Sequence, residues 1–194
     1  MLKTIRFWNF SKEKLTNFFT TVLKNPILFV RTFLNRALQL YIVVIFFSVW
    51  MEDAKLKNII ICQPENRNRF NKIFGGFIMR QAFELAWANA YIFGKERPFI
   101  VYMDDISFEA PVEVGSLLYF SSQISFIHDK YIQVRVSAEV FNPLTSELRV
   151  TNVFHYTFEL RNSKPRMILP KTYHEAMMYL NSRRHFLNSL EPMF

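Results

Sequence analysis

Cys62 is the one cysteine of the chain, so no disulfide closes within it and packing must supply the stability. No group of Cys and His has zinc-site spacing, so no metal is expected. Glycine is scarce too: four among 194 residues, all between positions 75 and 115. With 51% apolar and 17% aromatic residues, that scarcity excludes disorder, collagen-like repeats and low-complexity linkers. Acidic residues are nearly missing from residues 1–48, where seven Lys and Arg face only Glu13, so this stretch carries +6 of the net +8. The remainder is close to neutral and has no Lys/Arg stripe to follow a phosphate backbone, which argues against nucleic acid as a partner. No Gly-x-Ser-x-Gly elbow is present either, so no serine nucleophile of that kind is expected.

The basic stretch 1–48 reads as a leader outside the working fold. Phe7, Phe10, Leu15, Phe18, Phe19, Val22 and Leu23 recur at three- and four-residue steps on an acid-poor background, the pattern of an amphipathic mitochondrial presequence. Leu38–Met51 is more apolar, but its 14 residues as helix reach about 21 Å against a bilayer core of about 30 Å. Contact with a membrane surface through 27–51 is therefore expected in preference to a spanning helix.

Further on, Leu56–Cys62 reads as a strand and 65–72 as a polar loop. From Phe77 to Phe93 apolar residues point in nearly every direction, so this helix is expected to be buried almost all round, with Gly94 as its C-terminal cap. Strands follow at 99–108, 117–128, 131–141 and 149–160. The third alternates Ile132, Val134, Val136, Ala138 and Val140 with Gln133, Arg135, Ser137 and Glu139, as a half-solvated antiparallel strand does. Residues 173–190 read as a C-terminal helix packed outside. The pattern is α+β: an antiparallel sheet curled around one long helix at 49–172, then a helix and tail at 173–194.

The run Asn71-Lys72-Ile73-Phe74-Gly75-Gly76-Phe77-Ile78-Met79-Arg80, continued by Phe83-Glu84-Leu85-Ala86-Trp87-Ala88, carries a resemblance. So do Arg97-Pro98-Phe99, Asp104-Asp105-Ile106, Pro111-Val112-Glu113-Val114-Gly115-Ser116 and Asn152-Val153-Phe154-His155. Together they resemble the second hot-dog domain of the mitochondrial tandem hot-dog acyl-coenzyme A thioesterases, over about three quarters of the chain. The resemblance implies a hot-dog fold, acyl-CoA hydrolysis without a cofactor, and a mitochondrial location. It also implies assembly as a homo-oligomer or with a second hot-dog domain. The other reading is an inactive half that binds acyl-CoA or dimerises with a complete homologue.

Thioester hydrolysis needs a polarised carbonyl and an activated water. Gly75-Gly76 lets backbone approach a ligand, and the amides of the first helical turn, around Gly76 and Phe77, point where an oxyanion would develop. Glu84 is the sole carboxylate in the apolar helix body, where desolvation would suit it to general-base work; the duller reading pairs it with Arg80. Asn71 could orient water or carbonyl, Asp105 could line the groove, and Arg135 could meet the coenzyme phosphates. Gly76 and Glu84 are eight residues apart, about 12 Å along a helix, too far to serve one carbonyl. Activity is therefore expected to need two copies of the helix, antiparallel at an interface.

Overall fold

A computed structural model describes residues 48–190 apart from 105, 107, 109, 143 and 144, and without the side chains of 189 and 190. The presequence reading, most of the 27–51 segment and Asp105 lie outside the described residues. Among the described residues no helix is long and apolar enough to cross a membrane.

The elements in chain order are β1 (Ser48–Trp50), β2 (Lys55–Ile61), α1 (Gly75–Gly94), β3 (Phe99–Met103), β4 (Leu117–His128), β5 (Tyr131–Asn142), β6 (Glu147–Glu159), β7 (Met167–Leu169) and α2 (Tyr173–Leu190). Five strands form an antiparallel sheet in the order β2-β4-β5-β6-β3. The short β1 and β7 pair in parallel beside it. Three-residue strands carry no readable alternation, so the sequence gives no sign of this pair.

Helix α1 packs on one face of the sheet. Ile78, Ala82, Leu85, Ala86 and Ala90 are buried against Leu118, Phe120, Ile124, Val134, Val136, Phe154, Tyr156 and Phe158, and each large side chain so buried contributes roughly 1.5–3 kcal/mol. The expectation that α1 is enclosed almost all round does not hold within one copy of the chain. Arg80, Glu84, Tyr91 and Ile92 are exposed, because a single sheet covers only one side of a helix. The helix also begins two residues earlier than its apolar run suggests and holds Gly94 as its last residue. Lys95 carries the left-handed cap at φ 54°, and the missing side chain at 94 admits Leu160, which a Cβ there would meet at 2.6 Å.

Helix α2 covers the opposite face. Phe186 lies 5.5 Å from Phe126 and 5.7 Å from Tyr131 by ring centroids, and Tyr179 meets Phe126 at 5.2 Å. A register shift between Ile124 and Phe126 interrupts the β4–β5 ladder at this point. This cover changes the polar side of β5: Gln133 and Ser137, expected to be solvated, are buried, and Gln133 bonds Thr157 Oγ1 at 2.8 Å. Strand β3 stops at Met103, five residues short of its expected end. The Asp104 amide still bonds His155 O, but the chain then leaves the ladder for a loop running back toward the start of α1.

Candidate active site

The loop before α1 is shaped by its asparagines. Asn68 Oδ1 accepts from the amides of Phe70 and Lys72, an Asx turn. Asn71 takes a positive φ of 58°, the left-handed conformation asparagine tolerates best among side-chain-bearing residues. Ile73 N bonds Val112 O and Lys72 pairs with Glu113, which fastens the loop to the turn at Gly115, whose own φ is +84°. The chain then enters α1 through Phe74.

At that entry the amides of Gly75 and Gly76 find no acceptor among the described residues. The Phe77 amide, expected to be a third free donor, is spent on Phe74 O at 2.9 Å. Two unspent donors thus stand at the positive end of a 20-residue helix. Each glycine is roofed by an aromatic ring, Phe108 over Gly75 and Phe74 over Gly76, which a Cβ at either position would crowd. Both rings are more than half exposed, so an apolar rim surrounds a small anion-seeking spot. Asn71 is exposed beside it, its Oδ1 accepting from Arg67 Nη1 at 3.3 Å.

Glu84 is not where desolvation would act on it. Its side chain is 51% exposed on the open face of α1, where it accepts from Arg80 Nε at 2.8 Å and from Gln81 Nε2 at 3.3 Å. The apolar character of α1 suggested burial; the direction of position 84 decides otherwise. Arg135 also stands apart, since its side chain shares a cavity wall with His174 and Met178 of α2, on the sheet face opposite α1. One copy therefore brings together Asn71, Gly75, Gly76 and Phe77 and leaves Glu84 two turns away and Arg135 behind the sheet.

A further polar cluster escaped the sequence reading. Asp104, His155 and His185 come from three elements, and their ligating atoms lie within 4.8 Å of one another. Arg184 donates to Asn181 Oδ1 at 2.9 Å, which turns the Asn181 amide nitrogen toward His185 Nε2 at 3.2 Å. His185 Nδ1 then carries the proton and faces Asp104 Oδ2 at 2.5 Å. The two imidazoles stack, centroids 4.2 Å apart and planes 15° apart. In-plane lone pairs on stacked rings run side by side and do not converge on one ion, so the trio reads as a tie between α2 and the end of β3. Burial, with His185 and Arg135 adding to it, lowers the His155 pKa to about 3. Asp104 and His185 are 81 residues apart, so no local signal could have joined them.

Among solved structures, a hexameric acyl-CoA thioesterase matches with a TM-score of 0.70 at 19% identity, covering 75% of this chain and 97% of that one. A Staphylococcus aureus acyl-CoA hydrolase in complex with butyryl-coenzyme A and coenzyme A matches with a TM-score of 0.67 at 18% identity, covering 73% and 89%. The fold is a hot-dog fold. No family model matches the chain. By sequence, mouse mitochondrial acyl-coenzyme A thioesterase 10 is 56% identical over 146 residues, and the human mitochondrial thioesterase 9 is 55% identical over 145. A hop chloroplastic acyl-coenzyme A thioesterase 2 is 34% identical over 146. The hot-dog domain is homologous to part of these mitochondrial enzymes. Each match takes in 75% of this chain but 33% of the mammalian protein, so the chain spans about a third of the length of those relatives.

Proposed function

We propose that this hot-dog domain hydrolyses acyl-CoA thioesters in mitochondria, as part of an assembly of at least two such domains. The observation that carries the reading is the pair of unspent amides at Gly75 and Gly76. They sit at the positive end of α1 within a stretch of 146 residues that is 56% identical to a protein named an acyl-CoA thioesterase. The thioester carbonyl oxygen is received by the Gly76 amide, with Gly75 and Phe77 forming the approach and Asn71 orienting carbonyl or water. Glu84 of a second, antiparallel α1 takes a proton from water as its oxygen adds to the carbonyl carbon. The tetrahedral intermediate then expels the coenzyme thiolate, to which the proton passes, leaving the free acid. The half-open face of α1, with Tyr91, Ile92 and the Arg80–Glu84 pair exposed, supports a surface that another copy covers. On this reading 49–172 is the catalytic fold, 173–194 its covering helix and tail, Asp105 borders the groove, and 1–48 is a leader that touches a membrane surface from residue 27 onward; the end of the expected 27–51 segment belongs to the fold instead, since β1 pairs with β7 and Met51 is buried in the core.

The test is release of thiol from acyl-CoA, followed with a thiol-reactive dye. Turnover by the wild type that falls at least a hundredfold in Glu84→Gln supports the mechanism. Wild-type release at background overturns the activity, and equal release by the variant overturns the role of Glu84.

A further inference from the structure

We propose that the sheet face opposite α1 carries a second site, which binds the phosphate of a nucleotide-sized ligand between β2, β4, β5 and the first turns of α2. A cavity of about 490 Å³ lies there, within the range of small-molecule sites. Its floor is set by strand register. Lys55, Gln123 and Arg135 form one cross-strand row, and Lys57, Ser121 and Ser137 form the next. Lys55 is held by Glu175, and Glu139, the carboxylate in the wall, accepts from Ser137 Oγ at 3.0 Å.

The remaining donors have no such employment. The side chains of Arg135, Ser121 and Lys57, and that of His174 at the rim, make no hydrogen bond or ion pair with any described residue. A guanidinium carries five N–H donors and no acceptor, and sinking one into a sheet face with those donors unpaired is costly unless an anion arrives. Burial lowers its pKa, with the charge of Glu139 in the same wall opposing. Arginine, a hydroxyl and an ammonium on two adjacent rows match the several oxygens of a phosphate, which accepts charge-assisted bonds from all three. Helix α2 closes the cavity with His174 and Met178, leaving room for the rest of a nucleotide beside the sheet.

Two ligands carry this chemistry: the 3′-phosphorylated ADP end of coenzyme A, and a free nucleotide acting as an effector. The first rests on the thioesterase reading; binding itself does not. Calorimetric titration of the full chain with adenosine 3′,5′-bisphosphate and with ADP reads the site directly. Saturable binding of at least one is expected, weakened at least tenfold in Arg135→Gln and several-fold in Ser121→Ala, with circular dichroism and thermal midpoint retained. Lys95→Gln, an exposed cation at the far end of α1, serves as control and binds like wild type. In the thiol-release assay, the coenzyme end predicts that Arg135→Gln raises KM at constant kcat and that the bisphosphate competes with substrate. An effector predicts a nucleotide-dependent kcat that Arg135→Gln abolishes at constant KM. No saturable binding at millimolar ligand, or affinity unchanged in both variants, overturns the site. A protein that binds but releases no thiol overturns the thioesterase reading alone.

Discussion

Arg80 and Glu84 stand one helical turn apart on the open face of α1, joined Nε to Oε1 at 2.8 Å. An exposed pair at this spacing contributes only about 0.3–0.5 kcal/mol, so it is dispensable for folding. On the proposed mechanism its partner for chemistry is the Gly76 amide of a second copy, since Gly76 of its own copy lies two turns away on the same rod. Glu84→Gln is expected to lower kcat a hundredfold or more while leaving the urea midpoint unchanged. Arg80→Gln is expected to leave the fold equally intact. Paired thiol-release kinetics and denaturation curves check both.

A composite site has a sharper consequence. Glu84→Gln spoils the carboxylate of one copy and Asn71→Ala the loop of the other, so a mixed dimer keeps one intact site. Co-refolding equal amounts of the two inactive variants is expected to recover activity up to about a quarter of wild type, since half the dimers are mixed and half their sites are whole. No recovery, with subunit exchange verified by mass, would mean that one and the same copy supplies both Glu84 and Asn71 to each site.

The sequence made long periodic elements readable and left their surroundings hidden. Strand β4 and helix α2 lie where the pattern puts them, because twelve or more residues of consistent period leave little choice. Gly75 and Gly76 were legible as the entry to the long helix because they abut its apolar run. The same pattern misjudged α1, since how much of an apolar helix is covered depends on how many layers surround it. It also misjudged the polar side of β5, because the burial of Gln133 and Ser137 depends on α2, some forty residues downstream. Arg135 was readable as a cation on a strand, and only the sheet shows which face it takes.

Stability is expected to fall in mild acid because of His155. Its imidazole, 9% exposed, is faced by Arg135 of β5, His185 of α2 and Asp104 beyond β3, and its pKa sits at about 3 against 6.5 in an unfolded chain. Above pH 6.5 neither state binds the proton; below it the unfolded chain does and the folded one resists until about 3. Stability is therefore full above 6.5 and drains as pH falls, by up to about 4 kcal/mol across that window. Urea unfolding at pH 7.5, 6 and 5 measures the slope. His155→Gln is expected to flatten it, and an unchanged slope would assign the acid sensitivity to other groups.

Glu175 ties α2 to the sheet. Its carboxylate, 4% exposed, accepts from the amides of Lys171 at 2.9 Å and Thr172 at 3.3 Å, and from Lys55 Nζ at 3.3 Å. Burial pushes its pKa up, but these donors outweigh burial and hold it below the ordinary carboxylate value. Its contribution is thus present above the unfolded-state pKa and is lost as pH drops through the lower folded value. Glu175→Ala leaves the Lys171 and Thr172 amides and the Lys55 ammonium without their acceptor, at a cost of about 2–4 kcal/mol. Amide exchange is expected to accelerate first at the start of α2 and then at Gln133 and Ser137, the buried polar residues that α2 covers. Exchange that rises uniformly across the sheet instead would mean α2 is not a separately opening cover.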